Sequence, residues 1–332
     1  MSAAFTVLGG GVCGLAVAAE LAARGAAVGL VDPAGAPGPH ACSWWAGGML
    51  APDCEGVSAE PGVVRHGRRA ADWWEARGAE VIRNGTLVVA LGRDRSELTT
   101  FSRRAENARR IGRDEIAALE PDLGERFAEA LLMEAEAHLD PRATLAGLRA
   151  RLAGQGVAFR TEEPADGPAE GQVIDCRGLA ARDSLADLRG VKGEMVVLRC
   201  PEITLSRPVR LLHPRFPLYI VPRGDGVYML GATQIESGER RRATLRSVME
   251  LLNAAYALHP AFAEAEILEI GVDARPAFPD NLPRLRRQGG RLFANGLFRH
   301  GFLLAPALAV MAADLVLEGR IPEDFHEDHS ER

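Results

Sequence analysis

Apolar residues dominate from Phe5 to Leu8, stop at Gly9-Gly10-Gly11, and recur at helical spacing from Leu15 to Leu21 before Gly25. That pattern predicts a strand, a tight turn and a helix. Val28 to Val31 reads as a second buried strand with acidic Asp32 at its end, completing a compact βαβ unit. From Ala34 to Pro61 the periodicity dissolves into Gly, Pro, Ala and Ser, the composition of a segment that lines a site or crosses between domains. Trp44, Trp45, Gly47, Gly48 and Met49 lie in it. Val63 to Arg77 and Arg95 to Arg110 are amphipathic and predict helices on either side of a strand-like Thr86 to Ala90.

Asp140-Pro141 reads as an N-cap and a first-turn proline, starting a helix that runs to about Ala153. Val173 to Cys176 is a short strand closing on Gly178. Met195 to Leu198, Val209 to Leu212, Leu218 to Val221 and Val227 to Leu230 then resemble strands of an antiparallel sheet, followed by a helix from Thr244 to Leu258. Leu292 to Ala294 is one more strand, Gly296 to Gly301 a turn, and Phe302 to Leu317 an apolar helix expected to pack beside the first βαβ unit. The expected fold is α/β: a discontinuous Rossmann-like domain from residues 1–60, 130–190 and 290–320, plus an antiparallel-sheet α+β domain from 61–129 and 191–289. Residues 321–332, acidic with His326 and His329, are expected to form a loosely ordered tail.

A chain of 332 residues suits two lobes. With 47% hydrophobic and 25% charged residues the composition is globular, and no charge-free apolar run reaches the roughly 20 residues of a bilayer span. The N-terminus lacks the basic leading region of an export signal and carries Glu20, so the cytoplasm is expected. Five scattered cysteines without a CxxC pair read as reduced thiols. Net charge is -6 with arginines interspersed among acids, which argues against nucleic-acid and anionic-membrane partners. Lys192 is the sole lysine, which tells against a pyridoxal-phosphate Schiff base. His213, His259 and His300 show no metal-ligand spacing, and no metal is assigned.

Gly9-x-Gly11-x-x-Gly14 follows a strand, opens a helix and precedes an acidic strand end, the context of a dinucleotide fingerprint. Glycines permit the turn and close backbone approach, the helix N-terminus faces a diphosphate, and Asp32 would accept hydrogen bonds from ribose hydroxyls. The bland alternative is a glycine-rich structural turn. The fingerprint does not separate FAD from NAD, but its position at the N-terminus, with a C-terminal segment returning to it, is the layout of FAD oxidoreductases.

The sequence resembles the D-amino-acid oxidase family of FAD enzymes, most closely the bacterial glycine oxidases of thiamine biosynthesis, in motifs from Val7 to Leu317. They are VLGGGVCG at the start, AGGML from Ala46 to Leu50, GVKGEM around Lys192, YIVPR from Tyr219, GAT from Gly231, ARP from Ala274, and NGLFRHGFLLAPA from Asn295. The resemblance implies an FAD-binding domain and a substrate domain arranged as in D-amino-acid oxidase. It places Val12, Cys13, Asp32, Pro33, Cys42, Ser43, Gly47, Gly48, Met49 and Gly178 along FAD. Leu297, Phe298, Arg299, His300, Gly301, Phe302 and Leu303 would pass beneath the flavin. Tyr219, Arg275 and Arg299 would surround a substrate carboxylate, for which the planar guanidinium fork is well suited. The implied chemistry is hydride transfer from the α-carbon of a small amino acid or amine, giving an imino acid, with dioxygen reduced to hydrogen peroxide.

Taken singly, each of the three has a bland alternative: Tyr219 packs in a strand, Arg275 forms an interdomain ion pair, Arg299 caps a turn. Pro217 and Gln234 stand where glycine oxidases often have His and Met, so the pocket wall differs, and glycine, sarcosine, another small D-amino acid or a secondary amine all stay open. The polar segment between Val157 and Val173 replaces strands that usually cover the adenine side. Arg177 is expected to reach a phosphate or an acid, and Trp44 and Trp45 either cover the flavin or pack. Rival readings are a same-fold FAD dehydrogenase that feeds a quinone or carrier, an NAD-dependent dehydrogenase, and a nucleotide-binding regulator without turnover. Whether the chain forms a homo-oligomer is left open.

Overall fold

The computed structural model describes residues 4–162, 171–213 and 217–328. Strand Ala4–Leu8 sits at the heart of a seven-stranded sheet, with Phe5, Val7 and Leu8 nearly inaccessible. Ala27–Val31 and Gln172–Asp175 flank it in parallel, Ala158–Arg160 extends one side and Arg291–Asn295 the other. Arg284–Gln288 and His326–Asp328 then run in the opposite direction at the edge. Parallel strands require cover on both faces, which their near-continuous apolar character reflects.

The cover on one face comes from helices that are apolar all round. In Val12–Ala23 every residue from Val12 to Leu21 is buried, Glu20 included. It packs against the last helix, Gly301–Glu318. By length and composition that helix could cross a bilayer, yet here Phe302, Leu304, Leu308 and Ala312 are buried in the core that also holds Val17 and Trp74. All-round apolarity is the signature of a core helix as much as of a membrane span. The helix stops at Gly319, whose φ of 68° is the left-handed cap geometry that favours glycine.

The second sheet has nine strands. Arg189–Arg199 pairs with both Val227–Gly231 and Glu266–Ala277, while Leu218–Pro222 lies between Val227–Gly231 and Val209–Leu212. All these pairings are antiparallel, as expected for all but Glu266–Ala277, which was not foreseen, and Val209–Leu212 meets Thr86–Ala90 in parallel. Helix Leu245–Leu258, capped by the Thr244 side chain accepting from Ser247 N, buries Leu251, Ala254, Ala255 and Leu258 against this sheet.

Several expectations shift. The amphipathic stretch from Val63 to Arg77 is two helices, Pro61–Gly67 and Ala70–Ala76. They separate where Gly67 lies against Leu303, at a place with no room for a side chain. Arg95–Arg104 ends before the Arg110 expected from periodicity, because Arg109–Gly112 pairs with Glu129–Met133. Helices 61–67 and 70–76 share the core of the first sheet, and residues 129–133 belong to the second, so both expected domain borders move. The tail is not loose as far as residue 328: His326–Asp328 adds a strand beside Arg284–Gln288. Ala158–Arg160 supplies one strand beside Ala27–Val31, and most of the polar segment that follows lies outside the described residues.

Candidate active site

The glycine turn is shaped by contact. Gly9 has φ 98°, and a β-carbon there would stand 2.6 Å from the Cys176 carbonyl oxygen; one at Gly14 would stand 1.8 Å from the Gly9 carbonyl oxygen. Gly14 therefore serves the close packing of helix on strand. Gly11 begins the first helix without a side-chain cap, and only a long 3.4 Å contact runs from Val12 N to Ser43 Oγ. The helix N-terminus keeps its donors for an anion. Asp32 Oδ2 accepts from Gly10 N at 2.5 Å and Oδ1 from Ala34 N at 2.9 Å, which fixes the carboxylate at the strand end.

A cavity of 1060 Å³ opens between the two sheets. Every residue expected along FAD lines it except Gly14, and so do Tyr219, Arg275, Gln234 and Pro217. At its far end the last helix starts at His300, whose Nδ1 is buried without a hydrogen-bond partner. Two helix N-termini, a glycine cradle, an orphaned ring nitrogen and this volume fit an adenine dinucleotide with an extended ring system.

The opposite wall is a row across the second sheet. Tyr219 pairs in register with Gly231 on one side and Arg210 on the other, so Tyr219 and Arg210 project from the same face. The tyrosine ring slots between glycines: a β-carbon at Gly47 would approach it to 2.8 Å, and one at Gly231 would stand 2.6 Å from its hydroxyl. Burial pushes the Tyr219 phenol up, so it stays a protonated donor. Arg275 lies over Gly193, with a β-carbon position 2.4 Å from its Nη2, and its Nη1 donates to Thr233 O at 3.1 Å. Among the described residues no carboxylate is ion-paired with Arg275, which leaves its fork for a ligand.

Arg299 is placed differently. Its Nη2 meets Glu55 Oε2 at 2.6 Å and Ser58 Oγ at 2.7 Å, so a resident carboxylate already holds it. Glu55 comes from the short helix Pro52–Glu55 and also touches His300 Nε2 at 3.0 Å and Arg210 Nη1 at 3.5 Å. Burial would raise its carboxyl, but the His300 hydrogen bond and the Arg299 and Arg210 guanidiniums outweigh that and hold it well below the usual range. Arg223 clamps the loop under the tyrosine, donating to Gly47 O at 2.8 Å and Leu139 O at 3.2 Å, and burial lowers it to about 10.

Arg177 reaches acids, pairing with Asp175 at 2.7 Å and Asp183 at 2.8 Å. Trp45 lines the cavity, and both it and Trp44 stack on Arg142, which is itself held by Glu269. Lys192 is buried against Glu194 at 2.7 Å and Arg242 O, a structural role. Burial pushes the Cys42 thiol up to about 12.

Glu55, Arg210 and Arg223 were missed in the sequence. Arg210 left a faint signal, the single charge in the apolar strand Val209–Leu212. Glu55 left none, standing in the aperiodic stretch before Pro61.

Residues 5–315 match the family model for FAD dependent oxidoreductases of the DAO type. A Rhizobium etli protein named as thiamine biosynthesis oxidoreductase ThiO is 52% identical, over 96% of this chain and 98% of its own length. The glycine oxidase of Pseudomonas aeruginosa is 29% identical over 97% of this chain and 96% of its own. Among solved structures, the iminodiacetate oxidase of a Chelativorans species superposes with a TM-score of 0.81 at 25% identity, covering 98% of this chain and 99% of that one.

Proposed function

Because the chain belongs to the FAD-dependent oxidoreductase family and is an enzyme of the glycine oxidase and ThiO type, we propose that it converts glycine or another small amino acid or amine into the imino acid with dioxygen as acceptor, in the cytoplasm, serving thiamine thiazole synthesis. The observation that carries this reading is the Arg275 guanidinium, ion-paired with no carboxylate among the described residues, beside the protonated Tyr219 hydroxyl in the same cavity as the glycine turn.

FAD, when bound, accepts the hydride and returns two electrons to dioxygen. The chain supplies position. Arg275 pairs with the substrate carboxylate as a planar fork and Tyr219 donates to the same group, which fixes the orientation of the α-carbon. With the carboxylate held, the electron pair of the α C–H bond leaves as hydride, the amine loses a proton, and C=N forms. Dioxygen takes two electrons and two protons to give hydrogen peroxide, and water later hydrolyses the imine. The N-terminus of the last helix, at His300, would stabilise negative charge on a reduced flavin held at that end of the cavity. Arg223 keeps the Gly47 loop against the tyrosine, so the two walls stay in register.

The test is a peroxide assay of the yellow holoprotein against glycine, sarcosine and a D-amino-acid panel, with stopped-flow reoxidation in aerated buffer. Peroxide matching substrate consumption supports the reading. Flavin that a substrate reduces but air leaves reduced would replace oxidase with dehydrogenase.

A further inference from the structure

Charge is unevenly shared along the cavity. Asp273 is paired with Arg240 at 2.5 Å, Glu250 with Arg246 at 3.8 Å, and Asp32 with backbone donors at the adenosine end. Around Tyr219, however, among the described residues, three guanidiniums, Arg210, Arg275 and Arg299, line the cavity with a single carboxylate, Glu55, among them. Two positive charges are left in excess. Glu55 commits one oxygen to Arg299 and His300 at 2.6 and 3.0 Å, while Arg210 stands 3.5 Å from the other, beyond good hydrogen-bond geometry. The remaining nearby acid, Glu136, is inaccessible, accepts from Cys54 N at 2.6 Å, and is pushed by burial up to about 7, so it does not supply a full counter-charge.

Three guanidiniums that share one carboxylate leave net positive charge in a desolvated wall, and a substrate with one carboxylate offsets only part of it. The carboxylate between Arg275 and Tyr219 leaves Arg210, the immediate cross-strand neighbour of Tyr219 on the same face, with only a long contact to a Glu55 that it shares with Arg299 and His300. We infer that the preferred substrate is a small amine or amino acid with two carboxylates, the second received by Arg210 at the edge of the Glu55–Arg299 pair. This rests on the amine-oxidation reading above and names its substrate class. Glu55 acts as a positioning residue that holds Arg299 closely and Arg210 loosely. A single-carboxylate substrate such as glycine enters but leaves this second position to water.

Anaerobic flavin reduction of the holoenzyme by glycine, sarcosine, iminodiacetate and D-aspartate tests the assignment. A second charge-assisted pair is worth about 10- to 100-fold in kcat/KM, so at least one dicarboxylate is expected to exceed glycine by that margin. In Arg210→Met the ratio of dicarboxylate to glycine falls to about one, and Arg210→Lys restores part of it. A second readout needs no turnover: succinate should raise the melting temperature of the wild-type holoenzyme more than acetate does, and the difference should vanish in Arg210→Met. If glycine matches or beats every dicarboxylate, or if Arg210→Met keeps the wild-type ratio, the two-carboxylate inference is overturned while amine oxidation stands. If none of the four amines reduces the flavin, the amine-oxidation reading falls and this inference falls with it.

Discussion

Arg275 and Gly193 form one functional unit, since the guanidinium occupies the space a side chain on Gly193 would fill. Removing the fork in Arg275→Ala should raise KM by about 10- to 100-fold, the worth of a charge-assisted carboxylate contact, and leave FAD bound. Unchanged steady-state kinetics would take Arg275 out of the site. Gly193→Ala should give a milder rise in KM with a normal flavin spectrum, because the far end of a flexible arginine yields where backbone would not. That the glycine turn, Tyr219 and Arg275 line one cavity was legible because their motifs bring the structural context with them. Arg299 was legible as a cavity residue, but its engagement by Glu55 was not, because that carboxylate comes from an aperiodic stretch and meets Arg299 only in three dimensions. Pairing across space has no local signature.

Elements were readable where one period ran its full length. Asp140 caps Pro141–Gly154 by accepting from Ala143 N at 2.7 Å, as the N-cap and first-turn proline indicated. Edge strand Glu266–Ala277 was invisible because it exposes Ile267, Leu268 and Ile270 and so lacks the alternation of a half-buried strand. The contact between the first helix and Ala70–Ala76 rests on Glu20, which is buried and accepts from Trp73 Nε1 at 2.9 Å, from Arg24 at 3.0 Å and from Arg77. Glu20→Ala removes the acceptor of Trp73 and Arg77 while Arg24 keeps Asp314, and should cost about 1 to 3 kcal/mol in chemical denaturation. A loss below 1 kcal/mol would show that the network is dispensable. Strand Ala137–His138 and the residue before it titrate in opposite senses. Burial raises Glu136 from 4.5 to about 7, so its contribution to stability is lost as pH rises through that window; burial lowers His138 from 6.5 to about 4, so its contribution is lost as pH falls. Relative to wild type, the melting temperature of Glu136→Gln should therefore improve as pH rises from 4.5 to 7, and that of His138→Gln as pH falls from 6.5 to 4. Parallel slopes for the two variants would refute the assignment.

On the scale of the whole molecule, the cavity has walls from both ends of the chain: the glycine turn near its start and the His300 helix terminus near its finish. The two sheets were foreseeable from alternating strand periods, but their borders were not. Helices Pro61–Gly67 and Ala70–Ala76 join the first core through Val63, Trp73 and Trp74, contacts that no local pattern announces. The apolar helix Val12–Ala23 and its partner Gly301–Glu318 are separated by most of the polypeptide. At ribosomal rates of roughly 5–20 residues per second, the first helix waits roughly 15 to 55 s for the last to be made. During that interval a sticky helix stands uncovered and half of the cofactor cradle does not exist. Chains terminated before Gly301 should be captured by holdase chaperones and bind no FAD, whereas adding FAD during or after synthesis should give full-length protein the same yield of holoenzyme. Cofactor loading is thus the closing event in the biogenesis of this enzyme.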